Sequence, residues 1–282
     1  MKTLPRIEIA SLIVLGLACA AAPARLQLTP QDVADDARWE EYLRTAAVVA
    51  EIQMGGPNAI TEPWKLTLEK DGRRMFGLWK FIDSTKGGVP DRWRFEIAAY
   101  RFDRLLGLNM VPVTVERPHK DQPGSLQLWV EGETLKAVGP QITERTRDRS
   151  VEWNRCAYVQ RVFDNLLANE DRNANNILVT ADTRMVLVDH SRAFRTGRTY
   201  ARNLIFGPEG LMKAADGAPY LIKTLPRAFV GKIRELDAAR IREAVGTTLT
   251  DSEIQAVLAR KVLILREIDA MIARSGEDQV LY

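Results

Sequence analysis

The stretch 165–194, NLLANEDRNANNILVTADTRMVLVDHSRAF, constrains this chain more than any other. An amphipathic helix, residues 150–168, leads into it through Val151, Tyr158, Val162, Phe163, Leu166 and Leu167. Asp171 and Asn176 follow in a loop rich in Asn and Asp, then two short apolar runs at 177–179 and 185–188, then Asp189. A loop followed by a hairpin brings a carboxylate, an amide oxygen and a second carboxylate to one edge, with apolar anchors on both sides. Such a set can meet a hydroxyl and hold a hard cation. Each residue alone has a plainer reading, since Asn and Asp are ordinary turn residues and an Asp can cap the next segment. Their joint spacing and strand context carry the functional reading.

The rest of the chain supplies a scaffold large enough for that edge. Its 282 residues are 46% hydrophobic and 27% charged, which excludes intrinsic disorder and a fibrous rod. Lys and Arg number 40 against 37 Asp and Glu, a net charge of +3, too balanced for a general nucleic-acid footprint. With two Cys, Cys19 and Cys156, and two His, His119 and His190, neither a zinc cluster of ordinary spacing nor a disulfide framework can be built. A bound metal is therefore expected to be a hard cation on oxygen ligands.

The first residues read as an address. Lys2 and Arg6 precede the apolar run 9–22, and Ala22-Pro23-Ala24 offers small residues at a signal-peptidase spacing. The run is shorter than the roughly 20 residues that span a bilayer. The expectation is an exported protein of the periplasm or cell envelope. Leu17-Ala18-Cys19 admits a lipoprotein reading, although Gly16 stands where a lipoprotein box has Leu, and membrane association is expected only if Cys19 is acylated.

Thr29-Pro30-Gln31-Asp32 carries a capping hydroxyl, a first-turn Pro and an acid, predicting a helix to about residue 45. Residues 48–54 read as a strand and Gly55-Gly56-Pro57-Asn58 as a break. Trp64, Leu66 and Leu68 alternate with polar residues, and Asp71-Gly72 turns the chain into a second run, 73–82. From about residue 91 the period becomes 3.6, through Phe95, Ala98, Ala99, Phe102, Leu105 and Leu106 to the stop signal Gly107. Residues 111–116 and 126–130 alternate again around the loop 118–124, completing five strands and one helix. The second half is mostly helical, with a capping box at Thr250-Asp251-Ser252-Glu253. The Trp residues at 64, 79, 93, 129 and 153 are expected in the core, Cys156 as a small buried residue, and His190 as a packing group beside Asp189.

A phosphate-binding Lys on the third strand and a Glu on the helix after it would complete a phosphoryl-transfer set. Lys80 and Glu96 stand there, and Gly55 and Gly56 lie between the first two strands. In this order and spacing the chain resembles the protein-kinase-like superfamily, in its atypical branch of phosphatidylinositol kinases, HipA-type kinases and secreted Golgi-type kinases. Asp171-Arg172-Asn173-Ala174-Asn175-Asn176 resembles the branch's D-R-H-x-x-N, and 188–194 resembles its metal-Asp segment. The resemblance implies an α+β, two-lobed kinase-like fold with a five-stranded, one-helix N-lobe and a mainly helical C-lobe. Residues 1–24 would be the signal peptide, 25–47 a helical extension, 48–131 the N-lobe and 132–282 the C-lobe. It implies Asp171 as catalytic base, Asn176 and Asp189 as metal ligands, Lys80 on the α/β-phosphates, Glu96 as its partner, and Gly55 and Gly56 covering the phosphates, with ATP and Mg²⁺ or Mn²⁺ as cofactors. The expected activity is transfer of the γ-phosphoryl group to a hydroxyl of a protein, lipid head group or saccharide. Arg192, Arg195, Arg198 and Arg202 suggest an anionic acceptor, set against the reading of a solvated loop. Three departures stand out: Asn173 replaces the His of D-R-H, the glycine loop is not G-x-G-x-x-G, and no A-P-E element follows Asp189. Asn173 and export together keep open an alternative, a pseudokinase acting as an envelope scaffold. A hydrolase is disfavoured, because neither His has a G-x-S-x-G nucleophile to serve.

Overall fold

The computed structural model describes residues 35–55 and 62–282. The expected leader, Cys19, the helix opening at Thr29-Pro30 and Gly56 lie outside them. The described part of the first helix, α1, runs Asp36–Thr45 and buries Trp39, Tyr42 and Leu43. The Tyr42 hydroxyl donates to the Leu68 and Arg73 carbonyls, each at 2.9 Å, and so ties the helix to the first hairpin.

Five antiparallel strands follow: β1 (Ala47–Gln53), β2 (Trp64–Lys70), β3 (Arg73–Lys80), then β6 (Thr114–Glu116) and β7 (Ser125–Leu128), in the spatial order β1-β2-β3-β7-β6. Asp71 and Gly72 both adopt positive φ, 52° and 70°, which matches the right-handed twist of a two-residue hairpin turn. Leu66, Leu68, Met75 and Trp79 alternate into the core. A second hairpin, β4 (Asp83–Lys86) and β5 (Val89–Arg92), sits between β3 and the helix. The sequence does not announce it, because Pro90, Asp83, Asp91 and two glycines are strand-poor residues.

Helix α2 (Trp93–Leu106) buries Phe95, Ala98, Ala99, Phe102 and Leu106 and ends at Gly107, whose left-handed φ of 70° lets its amide reach the Asp103 and Arg104 carbonyls. It starts two residues later than its periodicity suggests, because Asp91 and Arg92 belong to β5. The C-terminal part opens with β8 (Glu133–Thr134) and the short helices α3 (Leu135–Val138) and α4 (Ile142–Arg145), then α5 (Ser150–Leu167). β9 (Ile177–Val179) and β10 (Met185–Leu187) form the short hairpin, joined by β8 into a three-stranded sheet. The remaining helices are α6 (Arg198–Arg202), α7 (Arg227–Glu235), α8 (Ala238–Val245), α9 (Asp251–Ser275) and α10 (Glu277–Val280). The Thr250 capping box opens α9 with both reciprocal bonds. One apolar cluster runs continuously from α1 and the five-stranded sheet through α5 to α9.

Two core expectations need correction. Cys156 is exposed on α5 although it shares a face with Val159 and Phe163, three and seven residues on, because the residues this helix buries begin only at Val159. Of these five tryptophans Trp79 and Trp93 are buried, whereas Trp64 and Trp153 lie half-buried at the edge of the core and Trp129 is half-buried too. Among the described residues no helix is long and apolar enough to cross a membrane.

Candidate active site

Lys80 is the last residue of β3, and Glu96 lies in the first turn of α2. Their side chains meet at 2.6 Å, Nζ to Oε1, nearly closed to solvent. The same ammonium lies 2.8 Å from Asp189 Oδ1. Residues 109 positions apart are thus joined at the point where the sheet meets the C-terminal part. Burial alone would strip the charge from Lys80, but the carboxylates of Asp189 and Glu96 outweigh it and hold its pKa well above the ordinary lysine value. Burial likewise works against an ionised Glu96. The Lys80 ammonium and a hydrogen bond from His190 outweigh it and hold that carboxyl well below the usual range.

The backbone of Asp189 adopts a left-handed φ of 60°, a conformation Asp tolerates better than most residues. The turn aims the next amide inward, and His190 N–H donates to Glu96 Oε2 at 3.0 Å. The other face of this segment is fixed from the N-terminal side: Arg92 N–H donates to the Ser191 carbonyl at 2.8 Å, and Arg192 Nε to Asp91 Oδ2 at 3.1 Å. The β4–β5 hairpin therefore clamps the residues that follow Asp189.

The loop after α5 is built on its own backbone and side chains. Ala168 ends the helix with a left-handed φ of 50°. The Asp171 carbonyl accepts from the Asn173 amide at 2.8 Å, from Asn173 Nδ2 at 3.1 Å and from Asn176 Nδ2 at 2.9 Å, while Asn173 Oδ1 accepts from the Asn175 amide at 2.9 Å. Because the Asn176 amide nitrogen is spent on this bond, its Oδ1 is the atom left for another ligand. The Asp171 side chain remains 38% exposed, with Arg192 Nη1 3.8 Å from its Oδ2. Partial burial and the neighbouring Asp189 carboxylate raise the Asp171 pKa above the ordinary value, against the opposing pull of Arg192.

Behind the loop lies a buried polar knot that the sequence does not single out. Arg172 forks onto Asp164, Nε to Oδ2 at 2.9 Å and Nη2 to Oδ1 at 3.1 Å. Its Nη1 donates to the carbonyls of Asn176 at 2.6 Å and Val188 at 2.7 Å. Nη2 also lies 2.7 Å from His190 Nε2, which must act as acceptor there, so the imidazole carries its proton on Nδ1, 3.7 Å from Glu96 Oε2. Burial, with Arg172 beside it, lowers the His190 pKa, so the ring is neutral at pH 7. It packs edge-on against Phe163, the packing place expected for it. One arginine thus fixes both segments that carry Asn176 and Asp189. The signal was present in the motif as the Arg after Asp171, but its partner Asp164 lies in the preceding helix.

The structure brings Lys80, Glu96 and Asp189 into direct contact and sets Asn176 and Asp171 on the adjoining loop. Gly55, exposed with φ 140°, ends the described part of the loop after β1. Of the four arginines, only Arg192 approaches Asp171. Among the described residues no group of three or more His, Cys, Asp or Glu side chains is gathered as a metal cage. A cation here would draw on Asp189 and Asn176 and need further oxygens from a ligand, the habit of Mg²⁺ rather than of a cation enclosed by protein.

No family model matches the sequence. A Mycobacterium tuberculosis protein, Rv2133c, is 27% identical over 206 residues, covering 61% of this chain and 72% of that protein. Among solved structures, hydra Fam20 with sugar superposes with a TM-score of 0.60 at 12% identity, covering 91% of this chain and 95% of that one. The Golgi casein kinase with Mn and ADP bound superposes at 0.57 and 14% identity, covering 90% and 79%. The Helicobacter pylori proinflammatory kinase CtkA superposes at 0.54 and 13% identity, covering 85% and 99%. The fold is the atypical protein-kinase-like fold, with its five-stranded antiparallel sheet in the N-terminal part and a mostly helical C-terminal part.

Proposed function

We propose that this chain is an exported, ATP-dependent phosphotransferase that uses Mg²⁺ or Mn²⁺ and an alcohol acceptor. The observation that carries the reading is the joined triad Lys80, Glu96 and Asp189 beside Asp171 and Asn176, on a fold shared with a kinase solved with Mn and ADP. Lys80, kept cationic by its two carboxylates, would hold the α- and β-phosphates, and Glu96 would hold Lys80. Asp189 and the free Oδ1 of Asn176 would hold the metal, which when bound offsets charge on the phosphate oxygens. Gly55 and Gly56 would cover the phosphates. Export rests on the leader at 1–24.

Asp171 would accept the acceptor's proton. With the hydroxyl within about 2.6–3.2 Å of its carboxylate, the acceptor oxygen forms a bond to the γ-phosphorus. The bond to the β–γ bridging oxygen breaks, ADP leaves with that electron pair, and the proton passes to Asp171. The Asp171 carboxylate is partly exposed, while Arg172 holds the carbonyl of Asn176 in the same loop.

Asn173, the departure that favours a pseudokinase, is spent on the loop's own turn, bonding Asp171 O and Asn175 N–H. The loop keeps its shape without a His, which supports the enzyme over the scaffold. Turnover decides between them. Asp171→Asn is expected to lower Mn²⁺-dependent ATP turnover by about 10²–10⁴-fold while Mn–ADP binding persists. A wild type that binds Mn–ADP but shows no turnover with any alcohol acceptor or water would establish the pseudokinase instead.

A further inference from the structure

The four arginines that follow Asp189 do not form one site. Arg195 donates to the Arg192 carbonyl at 3.0 Å, lies 3.6 Å from Glu170 and covers the Tyr200 ring. Arg198 and Arg202, on α6, make no hydrogen bond or ion pair with Asp171, Asn176 or Asp189 among the described residues.

Arg192 stands apart from them. Its Nε is fixed by Asp91, a carboxylate only 4% exposed whose Oδ1 has no partner among the described residues. That anchor comes from β5, outside Arg192's own segment. It turns the guanidinium so that Nη1 lies 3.8 Å from Asp171 Oδ2. Neither terminal nitrogen donates a hydrogen bond among the described residues, so four N–H groups of a partly exposed guanidinium are unused beside the carboxylate that faces the acceptor. A buried anchor, a fixed plane and an open fork are what bidentate recognition of a carboxylate or phosphate requires.

The position limits the acceptor. When the two contacts run side by side, a hydroxyl oxygen on Asp171 Oδ2 and an anionic oxygen on Arg192 Nη1 keep about the 3.8 Å spacing of the two groups, a gap that adjacent or next-adjacent carbons bridge. We infer that Arg192 selects acceptors carrying a carboxylate or phosphate one or two carbons from the reacting hydroxyl, and that Asp91 positions Arg192 for this. The inference rests on the phosphotransfer reading above.

Three small acceptors test it: glycerol, D-glycerate and glycerol 3-phosphate, each with Mn–ATP and the full chain. The wild type is expected to use at least one anion about tenfold or more better than glycerol in kcat/KM, the order of one charged hydrogen bond. The glycerate and glycerol phosphate arms separate carboxylate from phosphate. Arg192→Met loses the preference mainly through KM, Arg192→Lys restores part of it, and Asp91→Asn falls between. Arg198→Met keeps it. A Mn–ADP thermal shift retained in Arg192→Met verifies that the variant is folded with its donor site formed. Equal use of all three acceptors by the wild type, no transfer to either anion, or a preference that survives Arg192→Met overturns the inference. A folded wild type without a Mn–ADP shift overturns the phosphotransfer reading itself, and this inference with it.

Discussion

At the scale of single residues, the site depends on charges that burial opposes and neighbours restore. Asp171 is the instructive case, because burial and Asp189 raise its pKa and a base must be ionised to act. Protonation therefore silences it at a higher pH than it would a free aspartate, whose value is 3.8. With Asp171 as base, the acid limb of kcat/KM is expected above the ordinary aspartate value of 3.8; a limb at or below that value would remove Asp171 from the role. Arg172 acts through position. It is paired with Asp164 where both side chains are almost wholly buried, so Arg172→Met leaves a carboxylate without its cation. The cost is expected to be roughly 3–5 kcal/mol in urea unfolding, and a loss below about 1 kcal/mol would show that the knot contributes little. Asp171, Asn176 and Asp189 were legible from spacing, because loop and hairpin are local. The bond from Arg192 to Asp91 spans 101 positions and has no local signature.

At the scale of elements, the alternation of β2 and β3, the turn at Asp71-Gly72, the stop at Gly107 and the capping box at Thr250 are local rules that the chain obeys, and each was legible. The β4–β5 hairpin was not. Its residues have low strand preference, and it is held by long-range bonds: Trp93 N–H to the Ile82 carbonyl, Arg92 N–H to Ser191 and Arg192 to Asp91. Cys156 illustrates the same limit, since helical periodicity sets which face is apolar but not how far along the helix the burial extends. Delivery of Lys80 depends on the β3–β7 pairing, and Gly124, just before β7, is where it is tightest. A Cβ there would lie 2.6 Å from the Lys80 carbonyl and 2.5 Å from Trp79 Nε1. The backbone atom cannot yield as a flexible side-chain end can. Gly124→Ala is expected to lower stability by about 1–3 kcal/mol and to weaken nucleotide binding with it. An unchanged melting temperature and affinity would show that the strand pair adjusts freely.

At the scale of the whole molecule, Lys80 and Glu96 come from the N-terminal half, Asp171, Asn176 and Asp189 from the C-terminal half, and the two sets meet through Lys80–Asp189 and His190–Glu96. The two-lobed architecture was legible because its elements come in a diagnostic order, five strands and a helix before a mostly helical half. Which surfaces of the halves meet was not legible, since only the folded chain brings together residues a hundred positions apart. A metal-dependent nucleotide site at this junction is tested by calorimetric titration of Mn–ADP into wild type and Asp189→Ala. Saturable binding to the wild type that requires Mn²⁺ and is lost in the folded variant is the expected result. Equal affinity in both proteins, or none in a folded wild type, would contradict it.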